Sequence, residues 1–505
     1  MKISWGKFLI LNSLFITILN YNFFSYIFNH SNNLFINLSI CVIYFSIISA
    51  IFSLLLIPYI SKFISILFVI ITCISSYFMY KYGVVIDSEM IRNTIETDTK
   101  EAFSYINLSF IFYILFFGIL PTFFVYFAKI DYINFKKHII FKFIYFICFL
   151  GIAFAIFLPQ TKTLIPFFRE HSYIRMLNLP FYPIYSAIKF TKQKYYKKAF
   201  TQISLDANLT QSDENKLMIL VVGETARAKN YSLGGYLVND TNFYTKNIEN
   251  LVYFPDTYSC GTSTAISLPC MFSKSTRDEF KKDEFSENVL DVLKRVGVNV
   301  SWFGNNSGGC KGVCDRLNDP KIYNLEFDGQ MFDDIDKKMQ NLSQNELIVV
   351  HLQGSHGPTY YQRYPKEFKK FTPTCDTSDL ATCSFESINN TYDNSLLYTD
   401  FLINELINKL INASYANTKS VLIYLSDHGE SLGENGIYLH GAPYFIAPNE
   451  QKHIPMIIYS NNDEIYKNLL NKVSKTHSQD EIFSSLLGFF NVKTKDYTPS
   501  LDIFN

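Results

Sequence analysis

Long apolar runs crowd the first 158 residues of this 505-residue chain, and they constrain its fold more than any other feature. Each approaches the roughly 20 residues that a helix needs to cross a bilayer. They lie near residues 8–28, 36–58, 63–80, 109–128 and 139–158. Lysines precede the first run as in a signal peptide, but no small-residue cleavage site follows it and four more runs do. We therefore predict a transmembrane domain of five helices over residues 1–158.

Lysines in the short connections predict the orientation of these helices. Basic residues beside membrane spans stay in the cytoplasm. The lysines concerned are Lys2, Lys7, Lys62, Lys129, Lys136 and Lys137. With five spans they all lie on one side, so everything after Phe157 is expected on the outer side.

Six of the nine cysteines form closely spaced pairs in the second half of the chain: Cys260/Cys270, Cys310/Cys314 and Cys375/Cys383. Such pairs are typical of disulfides in an oxidising compartment. Zinc knuckles are the alternative, but the pairs lack the CxxC arrangement of those sites. The predicted outer location favours disulfides.

Two polar segments accompany the membrane domain. Residues 159–214 mix aromatic and basic residues with several prolines, which favours an interfacial bridging linker with short helices among the lipid headgroups, and an ordinary linker is the alternative. In the loop after the third run, the spacing of Asn93, Thr97 and Glu101 would place all three on one face if the segment is a helix. Taken alone, such a stripe is typical of a solvated face.

From about Asn215 the pattern changes to short β-rich apolar runs separated by helix-compatible stretches. The runs are KLMILVVGET, VNVSWFGNN, ELIVVHLQGSH, SVLIYLSDHGE and IPMIIYS. They predict an α/β domain over residues 215–505 with a mostly parallel sheet flanked by helices. Ligands of such sheets bind beyond the carboxyl ends of the strands. The net formal charge of zero gives no indication of a nucleic-acid partner.

Potentially reactive side chains follow four of these five runs: Glu224, Lys311, His356, and the group Asp427, His428 and Glu430. One such residue is usually structural, but four strand ends together predict a site. Carboxylate and imidazole ligands suit zinc, and Mn²⁺ is the alternative. Three protein ligands would leave a position for a reacting oxygen.

The segment SCGTSTAISLPC, residues 259–270, has a cluster of three consecutive hydroxyl side chains between two cysteines. A disulfide would hold the hydroxyls rigidly, and such positioning contributes to catalysis. A hydroxyl held against a metal could accept a phosphoryl group, although the residues do not select among Thr262, Ser263 and Thr264. Lys311, His356 and His440 are candidates for balancing phosphate charge or moving protons.

Five segments in order resemble the lipid A phosphoethanolamine transferases, inner-membrane enzymes of the alkaline phosphatase/sulfatase superfamily that include the mobile colistin-resistance enzymes. They are VVGETARAKNYSLGGY, SCGTSTAISLPCMFS, NNSGGCKGVCD, HLQGSHGPTYYQRYP and SDHGESLGENGIYLHGAPY. The resemblance spans nearly the whole chain. It implies a multi-pass protein of the bacterial inner membrane with a periplasmic catalytic domain, and we expect a monomer.

The resemblance also implies roles for individual residues. The nucleophile matches Thr264, and the zinc ligands match Glu224, Thr264, Asp427 and His428. Phosphate-binding and proton-transfer residues match Lys311, His356 and His440, and some members hold a second metal near these histidines and Glu430. The substrate-binding positions implied for the ethanolamine lipid match Asn93, Thr97 and Glu101, and Glu430 is also expected to bind substrate.

The implied reaction has two steps. Thr264, activated by zinc, takes phosphoethanolamine from phosphatidylethanolamine and releases diacylglycerol, and lipid A then accepts the group. The product has less negative charge and binds cationic peptides such as polymyxin more weakly. Other periplasmic acceptors remain open. The alternatives are a phosphoglycerol transferase or phosphodiesterase of the same superfamily, and an inactive membrane sensor that would have lost a metal ligand.

Overall fold

The computed structural model describes residues 2–31, 33–96, 103, 105–132, 134–195, 199–281, 285–306, 308–413 and 418–505. The chain divides into two compact units. The first comprises Met1–Ile91 and Ile106–Thr191, and the second comprises Arg92–Tyr105 and Lys192–Asn505. Residues 159–191 of the predicted linker thus pack within the first unit.

The first unit is built from apolar helices. Their bounds are Trp5–Leu19, Tyr21–His30, Leu34–Leu55, Ser61–Tyr82, Leu108–Ile114, Leu120–Phe127, Phe135–Phe157 and Thr161–Glu170, with a π-helical turn at Leu115–Ile119. The helices Ser88–Glu96 and Phe181–Tyr195 cross the boundaries between the units. Among the described residues, four stretches are long and apolar enough to cross a membrane: Leu34–Leu55, Ser61–Tyr82, Leu108–Phe127 and Lys136–Ile165.

The first predicted span differs from a single straight helix. It is a pair of helices, Trp5–Leu19 and Tyr21–His30, bent by 57°, so the described residues contain four spans, or five if the pair is one span. Asn20 lies at the break, where its side chain donates to the carbonyls of Ile16 and Leu179 and accepts from the Leu179 amide. A side chain that bonds to the backbone in this way competes with the regular helix. The bend therefore has a local cause.

The second unit is built on a mixed sheet with eight strands among the residues that the structure describes. In chain order they are β1 Asn215–Gly223, β2 Leu251–Tyr258, β3 Asn299–Gly304, β4 Lys321–Ile322, β5 Asn345–His351, β6 Thr418–Ser426, β7 His453–Ser460 and β8 His477–Ser478. Across the sheet the order is β8-β2-β7-β6-β1-β5-β3-β4. All five predicted strands are present in it.

Strand β7 differs from the other predicted strands in direction. It is antiparallel to both β2 and β6, whereas the other five neighbouring pairs in the described sheet are parallel. Its carboxyl end therefore lies at the opposite edge of the sheet from those of β1 and β6. This direction explains why the run IPMIIYS was the one without a reactive group after it.

Helices cover both faces of this sheet. The helices of the second unit are Thr264–Met271, Val289–Arg295, Phe332–Met339, Phe385–Ala413, Asp463–Leu470 and Ile482–Phe489. Alternate β1 residues, including Met218 and Leu220, pack in one core cluster with the helices that begin at Thr264, Val289 and Ile482. The long helix Phe385–Ala413 contacts β1 and β6. Because β1 is covered on both faces, its side chains are buried almost without interruption.

Candidate active site

The predicted reactive residues meet beyond the carboxyl ends of the central strands. Glu224 follows β1, and Asp427 and His428 follow β6. These two strands are parallel neighbours paired up to Gly223 and Ser426, so the residues that follow them start side by side. The topology of the sheet thus creates the cluster that the strand-end pattern predicted.

A compact group of possible metal ligands forms at this edge. His428 Nε2 lies 3.2 Å from Glu224 Oε1 and 3.4 Å from Asp427 Oδ2. Ligand atoms of these three buried residues all lie within 4.8 Å of one another. The Thr264 hydroxyl donates to Glu224 Oε2 at 2.9 Å and lies 3.3 Å from His428 Nε2. All four predicted zinc-binding residues are therefore brought together.

The hydrogen bonds of this group leave particular atoms available for a cation. Asp427 Oδ1 accepts from the amides of Thr225 and His428. Among the described residues, neither Asp427 Oδ2 nor Glu224 Oε1 receives a hydrogen bond. His428 Nδ1 lies 2.9 Å from the Gly429 carbonyl, which directs Nε2 towards the carboxylates. Two carboxylate oxygens, one imidazole nitrogen and a hydroxyl fit a four-coordinate zinc ion.

The electrostatics of the cluster also favour a positive ion. Burial lowers the pKa of His428, but the carboxylates of Asp427 and Glu224 outweigh it and raise that pKa to about 10. Burial and the charge of Glu224 raise the pKa of Asp427. Burial works against ionisation of Glu224 too, yet the neighbouring imidazole of His428 holds the pKa of that carboxyl below its ordinary value. The field that favours the imidazolium would stabilise a divalent cation in the same place.

Thr264 is the hydroxyl that reaches this cluster. It is the first residue of the helix Thr264–Met271, after Ser263 in extended conformation. Thr262 instead donates its hydroxyl to the Ala442 carbonyl at 2.6 Å. The structure thus separates hydroxyls that the residue pattern left equivalent.

The cysteines pair as predicted. Disulfides join Cys260 to Cys270, Cys310 to Cys314 and Cys375 to Cys383. The first of these connects the segment before Thr264 to the last turn of the helix that Thr264 begins. The three remaining cysteines, Cys41, Cys73 and Cys148, are free and lie in the first unit.

A second group of ligand atoms lies beside the first. Atoms of Glu224, His356 and His440 lie within 4.8 Å of one another. The His440 ring is centred 4.4 Å from that of His428 and 5.2 Å from that of His356. Burial lowers the pKa of His440, although the carboxylate of Glu430 acts in the opposite direction. His440 is therefore placed as a neutral imidazole that can accept a proton.

Glu430 lies behind His440. Its side chain is fully buried, with Oε2 2.8 Å from His440 Nδ1. Its other oxygen accepts from the Tyr360 hydroxyl at 2.6 Å. The carboxylate predicted to bind substrate thus uses both oxygens to hold neighbouring side chains.

Lys311 lies on a tight loop near the cluster. Its φ is +49°, and Gly309 and Gly312 also have left-handed backbone at +63° and +89°. The loop connects to the ligands through Asn306, which accepts from the Gly308 amide and donates to Glu224 Oε2 at 2.6 Å. The Lys311 side chain crosses Gly308 so closely that a β-carbon at that position would overlap its ammonium group.

The predicted lipid-handling residues are placed only in part. Asn93 is half-buried on the helix Ser88–Glu96. Thr97 and Glu101 lie outside the described residues. The shared polar face therefore stays a prediction.

Sequence reasoning missed several residues that support the site. Asn306 is the last residue of the predicted run VNVSWFGNN and lies two residues after β3, so its place at the end of a strand could have identified it. Arg227 lies three residues after Glu224, is buried, and donates to the Glu430 carbonyl and to Glu434 Oε1 at 2.6 Å. Tyr360 begins the short 3-10 helix Tyr360–Gln362, outside the predicted strands, where no pattern pointed to it.

Comparisons with known proteins match both units. A model described as "Sulfatase" matches residues 216–492, and one described as "Phosphoethanolamine transferase EptA/EptB" matches residues 44–195. Phosphoethanolamine transferase EptA of Escherichia coli (strain K12) is 37% identical over 497 residues, covering 94% of this chain and 90% of that protein. Phosphatidylethanolamine transferase Mcr-1 of Escherichia coli is 37% identical over 471 residues, covering 87% and 86%.

A solved structure matches the fold over nearly its whole length. It is the integral membrane protein lipooligosaccharide phosphoethanolamine transferase A (EptA) from Neisseria meningitidis. The TM-score is 0.94 at 31% identity, and the match covers 99% of this chain and 98% of that one.

Proposed function

Since this chain belongs to the phosphoethanolamine transferase family, we propose that it transfers phosphoethanolamine from phosphatidylethanolamine to lipid A through a phosphothreonine on Thr264. The observation that carries this proposal is the hydroxyl of Thr264 lying 2.9 Å from Glu224 and 3.3 Å from His428. Similarity to Mcr-1, a phosphatidylethanolamine transferase, supports the donor. Similarity to the lipooligosaccharide phosphoethanolamine transferase of Neisseria meningitidis supports an acceptor that contains lipid A.

Zinc, held by Glu224, Thr264, Asp427 and His428, would supply positive charge that lowers the pKa of the threonine hydroxyl. The group Glu224, His356 and His440 offers donors for a second ion.

In the first step, Thr264 Oγ forms a bond to phosphorus, and the bond from phosphorus to the diacylglycerol oxygen breaks. Glu224 Oε2 accepts the hydrogen bond of the threonine hydroxyl and orients it. The ammonium group of Lys311 balances the charge of the phosphate oxygens. The His356 and His440 pair carries the proton lost by the threonine hydroxyl to the departing oxygen, which leaves as diacylglycerol.

In the second step, an oxygen of lipid A attacks the phosphothreonine and the bond between phosphorus and Thr264 Oγ breaks. If the acceptor is a hydroxyl, a neutral imidazole must take its proton. His440 suits this role because burial lowers its pKa and Glu430 fixes its Nδ1 side. The imidazole passes this proton to the departing Thr264 Oγ, and the threonine is regenerated for another cycle.

The proposed reaction accounts for weaker binding of cationic peptides and for the attachment of the catalytic unit to the membrane. An added ethanolamine amine reduces the negative charge of the outer surface, which weakens binding of cationic peptides such as polymyxin. Both lipids reside in the membrane, so attachment of the catalytic unit to membrane-spanning helices keeps it near them. We place that unit in the periplasm, on the side opposite the lysines of the short loops.

Purified protein with zinc, incubated separately with phosphatidylethanolamine and phosphatidylglycerol, tests the donor. The proposal expects diacylglycerol from the first lipid only, and lipid A that gains the mass of one phosphoethanolamine group. Release of diacylglycerol from phosphatidylglycerol alone would instead identify the alternative phosphoglycerol transferase. Release from neither lipid would contradict both functions.

A further inference from the structure

Backbone contacts from separate segments hold the loop that precedes the nucleophile. We call Ser259–Ser263 the nucleophile loop. The Ser259 amide donates to the Lys452 carbonyl, and the Gly441 amide donates to the Thr262 carbonyl. A reacting group must be held to about 0.5 Å by such supports. Between these two anchored residues lies Cys260, whose amide has a partner of a different kind.

That partner is the side chain of Gln479, which is fully buried. Gln479 Oε1 accepts from the Cys260 amide at 2.7 Å. Its Nε2 donates to the carbonyls of Ser426 and Asp427, at 2.7 Å each. One carboxamide thus uses its acceptor and both its donors to join the nucleophile loop to the backbone of a metal ligand.

We propose that Gln479 is a positioning residue that fixes the nucleophile loop relative to Asp427. It contacts neither the reacting atoms nor the carboxylate of Asp427, and it acts through the backbone on both sides. The proposal rests on the proposed function for the identity of the nucleophile. It goes beyond that function because it assigns the alignment of Thr264 with the metal ligands to a residue 215 positions later in the chain.

The chemistry of the bridge requires a glutamine. Two carbonyls need donors and one amide needs an acceptor, and a carboxamide provides both on one plane. An ionised glutamate would keep the acceptor and lose both donors. Methionine has a similar length and volume but makes none of the three bonds, so the loop and the ligand strand could shift relative to each other.

Asn394 provides a matched control for the loss of a buried carboxamide. It is also fully buried, and it makes three bonds: it accepts from the amides of Lys370 and Phe371 and donates to the Phe371 carbonyl. Those bonds tie a loop to the helix Phe385–Ala413 and include no ligand or nucleophile residue. A variant of Asn394 should therefore lose about as much stability as a variant of Gln479, while Thr264 stays aligned with the predicted metal ligands.

The test compares Gln479→Met and Asn394→Leu in the full-length zinc-loaded protein in detergent. We expect Gln479→Met to lower kcat for diacylglycerol release from phosphatidylethanolamine by about 10- to 100-fold, with KM and zinc content nearly unchanged. Asn394→Leu should keep kcat within about twofold of the parent, while its Tm should fall by about as much as that of Gln479→Met. If Gln479→Met does not fold, Gln479→Glu replaces it, with an expected loss of kcat of about tenfold.

Hydrogen exchange of residues 257–268 gives a readout that does not depend on turnover. Exchange should accelerate in the Gln479 variant and not in Asn394→Leu, because only the former releases the Cys260 amide. Equal kcat in the two variants, or unchanged exchange of the loop, would overturn the inference. A parent protein that releases no diacylglycerol while the exchange difference persists would instead contradict the proposed function and leave the bridge supported.

Discussion

Each residue of the site has a local environment that suits one task. Glu224 and Asp427 use one oxygen for neighbouring hydrogen-bond donors and keep the other near His428. His428 uses Nδ1 for a backbone carbonyl, which leaves Nε2 facing the carboxylates. Such a division of atoms between support and ligation is typical of metal sites.

The clearest prediction at this scale concerns Thr264. Replacement by Ala should lower the rate of diacylglycerol release by more than about a thousandfold, because no hydroxyl of the preceding nucleophile loop bonds to Glu224 in its place. Zinc content should stay close to that of the parent because Glu224, Asp427 and His428 remain. Intact-protein mass spectrometry should detect phosphoethanolamine on the parent and none on the variant.

Thr262→Val is the matched control, since it removes a neighbouring hydroxyl that bonds only to the Ala442 carbonyl. It should keep most of the activity and the phosphorylated intermediate. If Thr264→Ala still forms a phosphoenzyme, the nucleophile has been assigned to the wrong residue.

Some of these residues could be predicted from the sequence and others could not. Glu224 and Asp427 follow apolar strands, so their position at the same edge of the sheet could be inferred from the sequence. Gln479 follows a two-residue strand, and Tyr360 begins a 3-10 helix of three residues, so neither has a periodic pattern around it. Their roles depend on contacts across more than 50 positions, which no local pattern encodes.

At the scale of elements, strand β2 shows why the sheet was predicted incompletely. Its sequence LVYFPDTY contains Pro255, and proline normally argues against a strand inside a sheet. The register between β2 and β7 shifts between Ile454 and Met456, opposite this proline. The irregularity accommodates residues that cannot donate to the ladder, so β2 lies inside the sheet despite its proline.

The loop Gly308–Cys314 carries a prediction about how an element presents one side chain. Lys311 has left-handed backbone, which costs a non-glycine residue about 1–3 kcal/mol. The Cys310–Cys314 disulfide and the bond from Asn288 to the Val313 carbonyl hold the loop. We expect Cys310→Ser with Cys314→Ser to lower kcat/KM about tenfold by releasing Lys311.

A double-mutant cycle with Lys311→Ala distinguishes this explanation from general loss of stability. In the Lys311→Ala background the two serine substitutions should have almost no further effect, because the residue they position is gone. The pair Cys375→Ser with Cys383→Ser serves as the control disulfide. If the two serine substitutions lower kcat/KM by the same factor in the Lys311→Ala background as in the parent, the disulfide does not act through the lysine.

The short strand β8 predicts a dependence of stability on pH. His477 Nδ1 lies 2.9 Å from Glu481 Oε2. Burial lowers the pKa of His477, but the hydrogen bond and charge of Glu481 outweigh it and raise that pKa above its ordinary value of 6.5. A raised pKa means that the stabilisation is fully present below about pH 6.5 and is lost as pH rises through the folded-state pKa.

Melting temperatures of the parent and Glu481→Gln, measured from pH 6 to pH 9, check this expectation. The difference should be largest at pH 6 and should shrink towards pH 9. Asp334→Asn is the control, because Asp334 pairs with Lys337 on the surface and both stay charged over this range. A constant difference for Glu481→Gln would show that the imidazolium does not contribute.

At the scale of the whole molecule, the helices of the first unit divide into two kinds. Within an apolar 18-residue stretch of each span, half of the residues are buried in Leu34–Leu55 and Ser61–Tyr82, whereas 6% are buried in Leu108–Phe127 and Lys136–Ile165. Apolar side chains exposed on this scale need a hydrocarbon environment. The number of spans determines on which side of the membrane the catalytic unit lies, because one span fewer would put it on the opposite side.

Reporter fusions to the full chain test that count. Alkaline phosphatase, which is active only after export, should be active when fused after Asn505 and inactive when inserted between Lys136 and Lys137. These outcomes require the bent pair Trp5–Leu19 and Tyr21–His30 to cross as one span. An inactive carboxyl-terminal fusion on a stable protein would place the catalytic unit in the cytoplasm.

The contact between Gln479 and the nucleophile loop has a consequence for the order in which the protein is made. A ribosome that has added residue 470 has already supplied Glu224, Thr264, Asp427, His428 and His440, yet β8 and the Gln479 bridge are still missing. A nascent chain therefore carries every ligand before it can align them. Until β8 and Gln479 have been added, the backbone before Thr264 lacks its bond to the Gln479 side chain, and the growing polypeptide would act on the surrounding phospholipids only slowly.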